Sequence, residues 1–508
     1  PGLRLASSGP GATRSPELLE VAADSLLARF DPEWGGFGRA PKFPQPAMLE
    51  TLLMAASRTG RQDLMTAVTT TLDAMASGGI YDHLGGGFAR YSTDRTWLVP
   101  HFEKMLYDNA LLARVYLHAW QETGADRYRQ VVAETLGYLL AAPMRVTGAG
   151  FASAEDADSE GVEGRFYVWD RAEVLEVGGE EAARWYGVTA AGNWEGHNIL
   201  FRPERGDLIR PAPIEAARRA LLARRETRVR PGLDDKVLTE WNAMAVAALA
   251  EAGAALAVPA WLEAAAAVSR FLLDRLRRPG DRRWLRSWQS GAGFAPGGTA
   301  RHLAYGADYA WLVEAFTRLA EATGDAAWIA EARSVADDLI RLFWDSNVDA
   351  FRTPGRDGET LIANPIDTQD GALPSANSVA ATALLRLAAL TGHEPYREHA
   401  TRLIAAMDAA LAAAPVAFAG MVAAADQAAR GLTEVVVTGD RPDLLEAVRS
   451  RYLPAAVLAW GEPYDSPVWT GRVDRQAEGL GYVCHDYACR APASSASVLL
   501  SQLEGTRH

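Results

Sequence analysis

ADYAWLVEAFTRLAEATGDAAWIAEARSVADDLIRLF, residues 307–343, is the stretch that indicates the fold most clearly. It contains two helix-like segments, Ala307–Thr323 and Ala326–Phe343, with the short turn ATGDA between them. Glycine after a helix and aspartate before the next one are the usual stop and start signals. The stretch therefore predicts two antiparallel helices that form a hairpin.

Comparable hairpins recur along most of the chain, each with its own short turn. Longer loops rich in glycine, aspartate and tryptophan separate one hairpin from the next. The paired segments are Pro46–Ser57 with Asp63–Ser77, Pro100–Glu122 with Asp126–Ala142, Leu238–Leu256 with Trp261–Leu276, and Ser375–Leu390 with Pro395–Ala412. Five or six hairpins with alternating short and long connections predict an all-α (α/α)6 toroid, whose inner helices line a central cavity. An open α-solenoid is the alternative, but the aromatic-rich long loops favour the closed form.

The chain divides into three regions where its composition changes. Residues 1–15 are rich in glycine, serine and proline and are predicted to be a flexible linker. Residues 16–412 form the predicted toroid. Residues 413–508 contain three strand-like segments, Thr433–Thr438, Ala455–Ala459 and Gly481–Cys484, and a helix-like segment between the first two. They predict a small α/β appendage packed on the toroid.

Composition excludes several classes of function. The net charge of the 508 residues is −13 with no basic block, which argues against nucleic acid and anionic membranes as partners. The sequence contains no stretch of 18 or more apolar residues, which is the length expected of a membrane-spanning helix. The two cysteines fit a reducing compartment, so we expect a cytoplasmic protein. Cys484 and Cys489 are too few for a zinc site, and we predict no metal and no cofactor. Because the first residue is proline, we expect the chain to be part of a longer protein.

HFEKMLYDN, residues 101–109, concentrates polar residues at the start of a predicted inner helix. On a helix, His101, Lys104 and Asp108 lie within about 60° of one another, while Glu103 and Tyr107 belong to a second polar strip. Two polar strips are too many for a purely buried helix. The plain alternative is a structural ion pair such as Lys104 with Asp108.

DDKVLTEWN, residues 234–242, repeats this arrangement at the start of another predicted inner helix. If this segment is a helix, Asp235, Thr239 and Asn242 lie on one face of it. Both segments follow a long loop, and the free N–H groups of helix N-termini suit anions and oxygen-rich ligands. We therefore interpret both as parts of a binding site.

Two further segments are predicted to be rim loops of the same site. FASAEDADSEGVEGRFYVW, residues 151–169, places Asp156 and Asp158 beside aromatic residues, which is typical of sugar sites. Its spacing imitates a calcium loop, but Tyr167 stands where a bidentate glutamate is required. A solvated acidic loop is the alternative. GGIYDHLGGGFARYSTDRTWLVP, residues 78–100, contains Asp82, His83 and Arg90 and lacks a phosphate-binding pattern.

The motifs resemble one known family. The matching segments are PKFPQP (41–46), HFEKMLYDNA (101–110), EDADSEGVEGRFYVW (155–169), DDKVLTEWNAM (234–244), DGALPSANSVA (370–380) and GYVCHDYAC (481–489). In this order they are similar to the thioredoxin-domain-containing proteins related to spermatogenesis-associated protein 20, over nearly the whole chain. The resemblance implies a thioredoxin-like domain with a redox cysteine pair, N-terminal to this chain, as a partner. It also implies a toroid similar to those of N-acylglucosamine 2-epimerases and six-hairpin glycosidases.

These observations predict a carbohydrate-active enzyme with a sugar-like small-molecule ligand. Isomerase- or epimerase-like acid–base chemistry is the leading hypothesis, with His101 and His83 as the candidate acid–base pair. A glycoside hydrolase would instead use two carboxylates, Asp156 or Asp158 with Asp235 or Glu103. A third hypothesis is a non-catalytic binding or redox-partner module for a thioredoxin-like domain.

The candidate residues fall into two groups. The predicted catalytic set is His101, Asp156, Asp158, Asp235 and Lys236, in which Lys236 lowers the pKa of a neighbouring carboxylate. Tryptophans would stack on sugar rings and asparagines would bond hydroxyls. The predicted substrate-binding set is Asp82, His83, Arg90, Trp97, Glu103, Asp108, Asn109, Trp194, Trp241, Asn242, Asp308, Tyr309 and Asn377.

Overall fold

The computed structural model describes residues 17–291, 297–358, 365–472 and 479–504, so the predicted linker 1–15 lies outside the described residues. The helices of this part of the chain are α1 Leu18–Leu27, α2 Pro46–Thr59, α3 Gln62–Ser77, α4 Leu106–Thr123, α5 Asp126–Leu140, α6 Arg171–Trp185, α7 Ala212–Arg225, α8 Thr239–Ala255, α9 Pro259–Arg275, α10 Gly306–Thr323, α11 Ala326–Phe343, α12 Ala376–Thr391, α13 Glu394–Ala406, α14 Asp408–Ala413, α15 Ala419–Arg430, α16 Pro442–Arg449 and α17 Ala496–Glu504.

The strands are mostly very short. They are β1 Tyr91–Ser92, β2 Pro100–His101, β3 Lys104–Met105, β4 Ala154–Glu155, β5 Asp158–Ser159, β6 Val162–Glu163, β7 Leu233–Asp234, β8 Val237–Leu238, β9 Leu285–Gln289, β10 Thr299–Leu303, β11 Trp344–Asp345, β12 Ala350–Phe351, β13 Thr433–Val437, β14 Ala456–Trp460, β15 Gly481–His485 and β16 Ala488–Cys489.

Six inner helices form a closed ring. In order around the ring they are α2, α4, α8, α10, α12 and α15, and α15 packs back on α2. The outer layer consists of α1, α3, α5, α9, α11 and α13, each packed on an inner helix. This arrangement confirms the predicted (α/α)6 toroid. Helices α6 and α7 pack on each other as an additional hairpin between α5 and α8.

Side-chain pattern explains which helix becomes inner and which outer. Helix α8 is buried along nearly its whole length and is rich in alanine, so it can be packed on all sides. Helix α11 instead buries one face, through residues such as Trp328, Ala332, Val335 and Leu339 at helical spacing. The remaining face of α11 is polar, as expected for an outer helix.

The C-terminal region forms a four-stranded sheet in the order β14-β13-β15-β16. Strand β13 pairs parallel with β14 and antiparallel with β15. The sheet region covers the end of the toroid where the short turns lie: the Trp460 indole N–H donates to the Glu321 carbonyl at 2.7 Å, and the Glu462 N–H donates to the Gly324 carbonyl at 2.8 Å. The predicted strand–helix–strand appendage is thus present as a cap.

Two features differ from the sequence expectations. Helix α15 lies within residues 413–508, yet it is the sixth inner helix, because the ring needs it to join α12 to α2. The toroid therefore extends beyond residue 412. Cys484 and Cys489 face each other across β15 and β16 and form a disulfide.

Within the described part of the chain, no helix combines the length and apolarity needed to cross a bilayer. The same residues contain no group of three or more histidine, cysteine, aspartate or glutamate side chains placed to hold a metal ion.

Candidate functional site

The two polar helix starts are shorter than the sequence predicts. Helix α4 begins at Leu106, and the preceding Pro100–His101 and Lys104–Met105 are strands. Helix α8 begins at Thr239, so Asp235 lies before it. The predicted helical faces that joined His101 and Lys104 to Asp108, and Asp235 to Asn242, are therefore wrong. The physical reason is that these segments exchange backbone hydrogen bonds with neighbouring loops. The sequence of one segment alone does not show which loop it will pair with.

The rim loops do meet one another. Strands β3, β4 and β7 form one sheet in which Lys104 lies opposite Glu155, and Ala154 lies opposite Asp234. The segments around residues 101–105, 151–159 and 233–238 thus converge at the end of the toroid where the inner helices begin. None of the five residues of the predicted catalytic set lines the central cavity described below.

The predicted catalytic residues lie on the outer part of this rim. His101 Nδ1 lies 2.7 Å from Glu163 Oε1, and the imidazole stacks on Tyr91. Asp235 accepts a hydrogen bond from the Gln289 side-chain amide. The remaining three, Asp156, Asp158 and Lys236, are exposed. Lys236 binds Asp234 at 2.6 Å and does not contact Asp235 through an ion pair in the described chain.

Asp82 is part of a buried ion cluster. Its carboxylate binds Lys104 Nζ at 2.7 Å and Arg225 Nη1 at 2.7 Å. Burial acts to raise the pKa of Asp82, but Arg225 and Lys104 outweigh it and hold the pKa well below its usual range. Two buried cationic partners give this carboxylate a structural role, and substrate binding by Asp82 stays a prediction.

Three other members of the predicted binding set are core residues. His83 donates from Nε2 to the Gly78 carbonyl at 3.0 Å, and burial lowers its pKa to about 4. Trp97 is fully buried and its indole N–H donates to the Trp34 carbonyl. The Tyr309 hydroxyl accepts from Arg283 and from a backbone N–H. These groups are enclosed and already bonded within the core, and their contacts with a sugar stay a prediction.

Three asparagines make the same backbone clamp. In each, Oδ1 accepts the N–H of a phenylalanine in the preceding loop and Nδ2 donates to the carbonyl of the same phenylalanine. The pairs are Asn109 with Phe88, Asn242 with Phe151, and Asn377 with Phe351. All three asparagines are buried. The three asparagines tie the loops to the starts of α4, α8 and α12, and their bonds to sugar hydroxyls stay a prediction.

The other predicted binding residues lie at the mouth of the toroid. Arg90 lies 3.5 Å from Glu103, and the rings of Trp194 and Phe102 are 5.5 Å apart. Trp241 contacts Tyr107 edge-on at 4.9 Å. Their side chains are only partly buried, so they remain available to a ligand.

A pair of buried carboxyl groups joins two neighbouring inner helices. Asp308, the third residue of α10, accepts the backbone N–H of Glu240, the second residue of α8, at 3.0 Å. Arg286 from β9 lies 3.0 Å from Asp308 Oδ2 and 3.5 Å from Glu240 Oε2. Glu240 and Arg286 are the residues that sequence reasoning missed.

Burial, with a smaller contribution from the Asp308 charge, raises the pKa of Glu240 to about 8. Burial also raises the pKa of Asp308, although Arg286 opposes it. Two carboxyls of raised pKa beside one cation hold a proton near neutral pH. Glu240 can therefore donate or accept a proton at physiological pH.

More carboxyl groups of raised pKa surround the mouth. Asp108, near the start of α4, is buried and its Oδ2 has no hydrogen-bond partner among the described residues. Burial raises the pKa of Asp108 well above its usual range. Burial also raises the pKa of Asp367, which precedes α12. The acidic side chains of successive inner helices thus share the same end of the ring.

The central cavity has a volume of about 290 Å³ and is lined by all six inner helices and by residues 448–458 of the cap. On α10, Trp311, Glu314, Arg318 and Glu321 line it at intervals of three and four residues. Asp308 precedes Trp311 by three residues and so belongs to the same face of α10. Neither Asp308 nor Glu240 lines the cavity itself; the carboxyl pair lies beyond the lining residues, at the mouth of the ring, where α8 and α10 begin.

An ion-pair network crosses the cavity. Arg114 binds Glu251 and Glu314, each at 2.7 Å, and His118 Nδ1 lies 2.6 Å from Glu50. Burial acts to lower the pKa of His118, but Glu50 and Glu251 outweigh it and raise the pKa to about 9. His118 is thus protonated at neutral pH. Charged residues three or four apart on an otherwise alanine-rich helix are the sequence signal that could have revealed this network.

Comparisons with known proteins identify relatives over most of the chain, although no family model matches it. The chain is 34% identical to human spermatogenesis-associated protein 20 over 525 aligned positions, covering 91% of this chain and 66% of that protein. The rat protein of the same name is 34% identical, over 85% of this chain and 62% of that protein. The chain thus spans about two thirds or less of these relatives' length.

Two solved structures share the fold at low sequence identity. A sugar epimerase from a ruminal bacterium superposes with a TM-score of 0.52 and 11% identity, over 77% of this chain and 85% of its own. Cellobiose 2-epimerase from Bacillus thermoamylovorans has a TM-score of 0.51 and 8% identity, over 76% and 85%. Both similarities concern the toroid fold.

Proposed function

We propose, from the premise that the chain belongs to the family of spermatogenesis-associated protein 20, that it is a carbohydrate-active enzyme with isomerase- or epimerase-like chemistry. The sugar enters the mouth of the toroid, Glu240 moves a proton to and from carbon, and Arg286 stabilises the negative charge on oxygen. No metal or cofactor takes part in this proposal.

The observation that carries the proposal is the position of Glu240. Isomerisation or epimerisation next to a carbonyl removes a proton from carbon and leaves negative charge on oxygen. A base is most effective when its pKa lies near the working pH, and burial raises that of Glu240 to about 8. Arg286, 3.5 Å from Glu240, is a cation placed to stabilise an enediolate oxygen. Base and stabilising cation are thus neighbours at the mouth of the ring.

The fold and the cavity support the substrate class. Both solved structures that share the toroid carry the name of a sugar epimerase. The cavity volume of about 290 Å³ lies near the lower end of ligand pockets, which are typically roughly 300–1,000 Å³. Trp241, which packs edge-on against the buried Tyr107, offers partly exposed aromatic surface at the mouth, where a sugar ring could stack.

A carboxyl group fits this role better than the predicted histidines. His83 is enclosed and neutral at physiological pH, since burial lowers its pKa to about 4. His101 lies outside the cavity and is held by Glu163. We also propose that His101, Asp156, Asp158, Asp235 and Lys236 are residues of the rim that meet the substrate.

Glycoside hydrolysis is the second candidate, because the mouth holds several carboxyl groups. Hydrolysis requires a second carboxylate free to act as base or nucleophile. Asp308 already accepts from Tyr305, Glu240 and Arg286, which leaves Asp367 for that role. A non-catalytic binding or redox-partner module for a thioredoxin-like domain remains the third proposal.

The test is proton exchange into a panel of sugars. The chain is incubated in D2O with aldoses, ketoses and disaccharides, and NMR follows loss of the hydrogen at the carbon next to the carbonyl. We expect exchange with one class of sugar, and Glu240→Gln should lower its rate by about 10²–10⁴. Glu434→Gln is the matched control, since burial raises the pKa of Glu434 to about 7 in the cap sheet, away from the cavity.

Three outcomes contradict the proposal in different ways. Release of a monosaccharide without exchange at carbon favours hydrolysis. Equal exchange by Glu240→Gln and the unmodified chain removes Glu240 as the base. Sugar binding without any turnover favours the non-catalytic module.

A further inference from the structure

The mouth of the ring holds several carboxyl groups, whereas the central cavity is lined by more cations than anions. Five arginines and the protonated His118 line the cavity, against four glutamates. The lining therefore carries an excess of two positive charges. The arginines are Arg114, Arg318, Arg386, Arg449 and Arg451, and the last two come from the cap that closes the floor. Arg451 is exposed, so the enclosed part of the lining carries an excess of one positive charge, which is costly without a counter-charge.

Arg386 is the most enclosed of these cations. It projects from α12, its side chain is 1% exposed, and its Nη2 donates to both carboxylate oxygens of Glu321, at 2.8 and 2.9 Å. Its Nε and Nη1 have no hydrogen-bond partner within the described residues. Buried guanidinium N–H groups are normally bonded, so each of these free donors can bind an oxygen of an anion.

Arg449 reaches the same floor from the end of α16. Its Nη2 donates to the Ala322 carbonyl at 2.8 Å, while its Nε is buried without a partner in the described structure. Arg449 forms no ion pair with any described carboxylate. Burial lowers its pKa to about 10, so it stays charged at neutral pH. A partly desolvated cation whose partners are backbone carbonyls and the Trp460 ring, with no carboxylate, is a natural ligand for an anion.

The walls above the floor offer groups of the opposite kind. Glu314 Oε2 and Gln427 Oε1 are buried acceptors without a partner in the residues described, and Trp311 Nε1 is a buried donor without one. All three line the cavity. Hydroxyl groups, which both donate and accept, would satisfy acceptors and donor alike.

We propose that the cavity floor binds the anionic group of a polyhydroxylated ligand, a sugar carboxylate or a sugar phosphate, on Arg386 and Arg449. Glu314, Gln427 and Trp311 bond its hydroxyls. Glu321, the partner of Arg386, follows Asp308 by 13 residues on α10, or about 20 Å at the helical rise per residue. The anion site is therefore separate from the carboxyl pair and stands without the proposed function.

The test measures equilibrium binding by calorimetry, without turnover, using glucose, glucuronate, glucose 6-phosphate and inorganic phosphate. We expect at least one acidic sugar to bind about tenfold or more tightly than glucose, since one good charged contact is worth that much. Arg386→Gln and Arg449→Gln should each abolish the preference. Arg333→Gln is the matched control: Arg333 also anchors the cap, through the Asp465 carbonyl at 2.6 Å, but does not line the cavity.

Binding of glucuronate and of glucose 6-phosphate distinguishes the two proposed ligands, a sugar carboxylate and a sugar phosphate. Equal affinity for glucose and both acidic sugars overturns the anion site, as does an acidic-sugar preference that survives Arg386→Gln and Arg449→Gln. Arg449 is partly exposed, so its variant remains informative where Arg386→Gln does not fold. Failure of every anion to bind also overturns it. Tight binding of an acidic sugar without proton exchange supports the anion site and shows that it acts separately from Glu240.

Discussion

The Asp308 carboxylate accepts the backbone N–H of Glu240 at 3.0 Å, although 68 positions separate the two residues in the chain. This bond joins the first turns of α8 and α10 and places two carboxyl groups and Arg286 at the mouth of the ring. Neither residue is unusual by itself. Their burial side by side produces the raised pKa of Glu240, on which the proposed chemistry depends.

We predict that Glu240 makes stability fall as pH rises. Its pKa is about 8 in the folded chain against an ordinary value of 4.5, so the folded state binds more protons than the unfolded state between these values. The unfolding free energy should therefore decrease with pH, by up to about 1.4 kcal/mol per pH unit from this group. Urea denaturation at several pH values from 5 to 8.5 measures it. Glu240→Gln should show a shallower slope, and an unchanged slope would contradict the prediction.

We predict that His118 holds the cavity wall together as a cation. Its folded pKa of about 9 exceeds the ordinary value of 6.5, so its stabilising effect is complete below pH 6.5 and is lost as pH rises through 9. His118→Gln leaves Glu50 and Glu251 without this partner and should destabilise the chain by about 1–3 kcal/mol at pH 6. The difference from the unmodified chain should shrink at pH 9.5. An imidazole that titrates near 6.5 by NMR would rule this out.

We predict that the asparagine clamps control stability instead of substrate affinity. Asn242→Ala leaves the buried N–H and carbonyl of Phe151 without their side-chain partners, which should cost about 2–4 kcal/mol. Asn347→Ala is a control at an exposed position and should cost about 0.5 kcal/mol or less. Thermal denaturation measures both. A folded Asn242→Ala variant of unchanged stability but weakened sugar binding would restore the predicted hydroxyl contact.

We predict that the rim residues affect substrate affinity more than the chemical step. His101→Asn, Asp156→Asn and Asp235→Asn should raise KM and leave kcat within about tenfold of the unmodified chain, because these side chains do not belong to the cluster of Glu240, Asp308 and Arg286. Steady-state kinetics on the sugar found by proton exchange makes the comparison. A fall in kcat of about 10²–10⁴ for any of them would make that residue the acid–base group.

Much of the architecture could be predicted from local patterns. Hairpins such as Ala307–Thr323 with Ala326–Phe343 are confirmed almost to the residue, because apolar spacing and the glycine stop signals act within one segment. The start of α4 could not be predicted in this way. Residues 100–105 have helix-compatible spacing, yet they pair with strands from other loops, and those partners are distant in sequence.

Sequence alone determined the alternation of helices and loops, the net negative charge, and which segments carry polar residues at the rim. Tertiary structure decided which of those residues are available for chemistry. It enclosed His83 and Trp97 in the core, committed three asparagines to backbone clamps, brought Glu240 beside Asp308, and placed Arg386 and Arg449 in the lining of one cavity. The physical reason is that desolvation and charge pairing depend on distances between helices of the closed ring, and no local pattern in the chain specifies those distances.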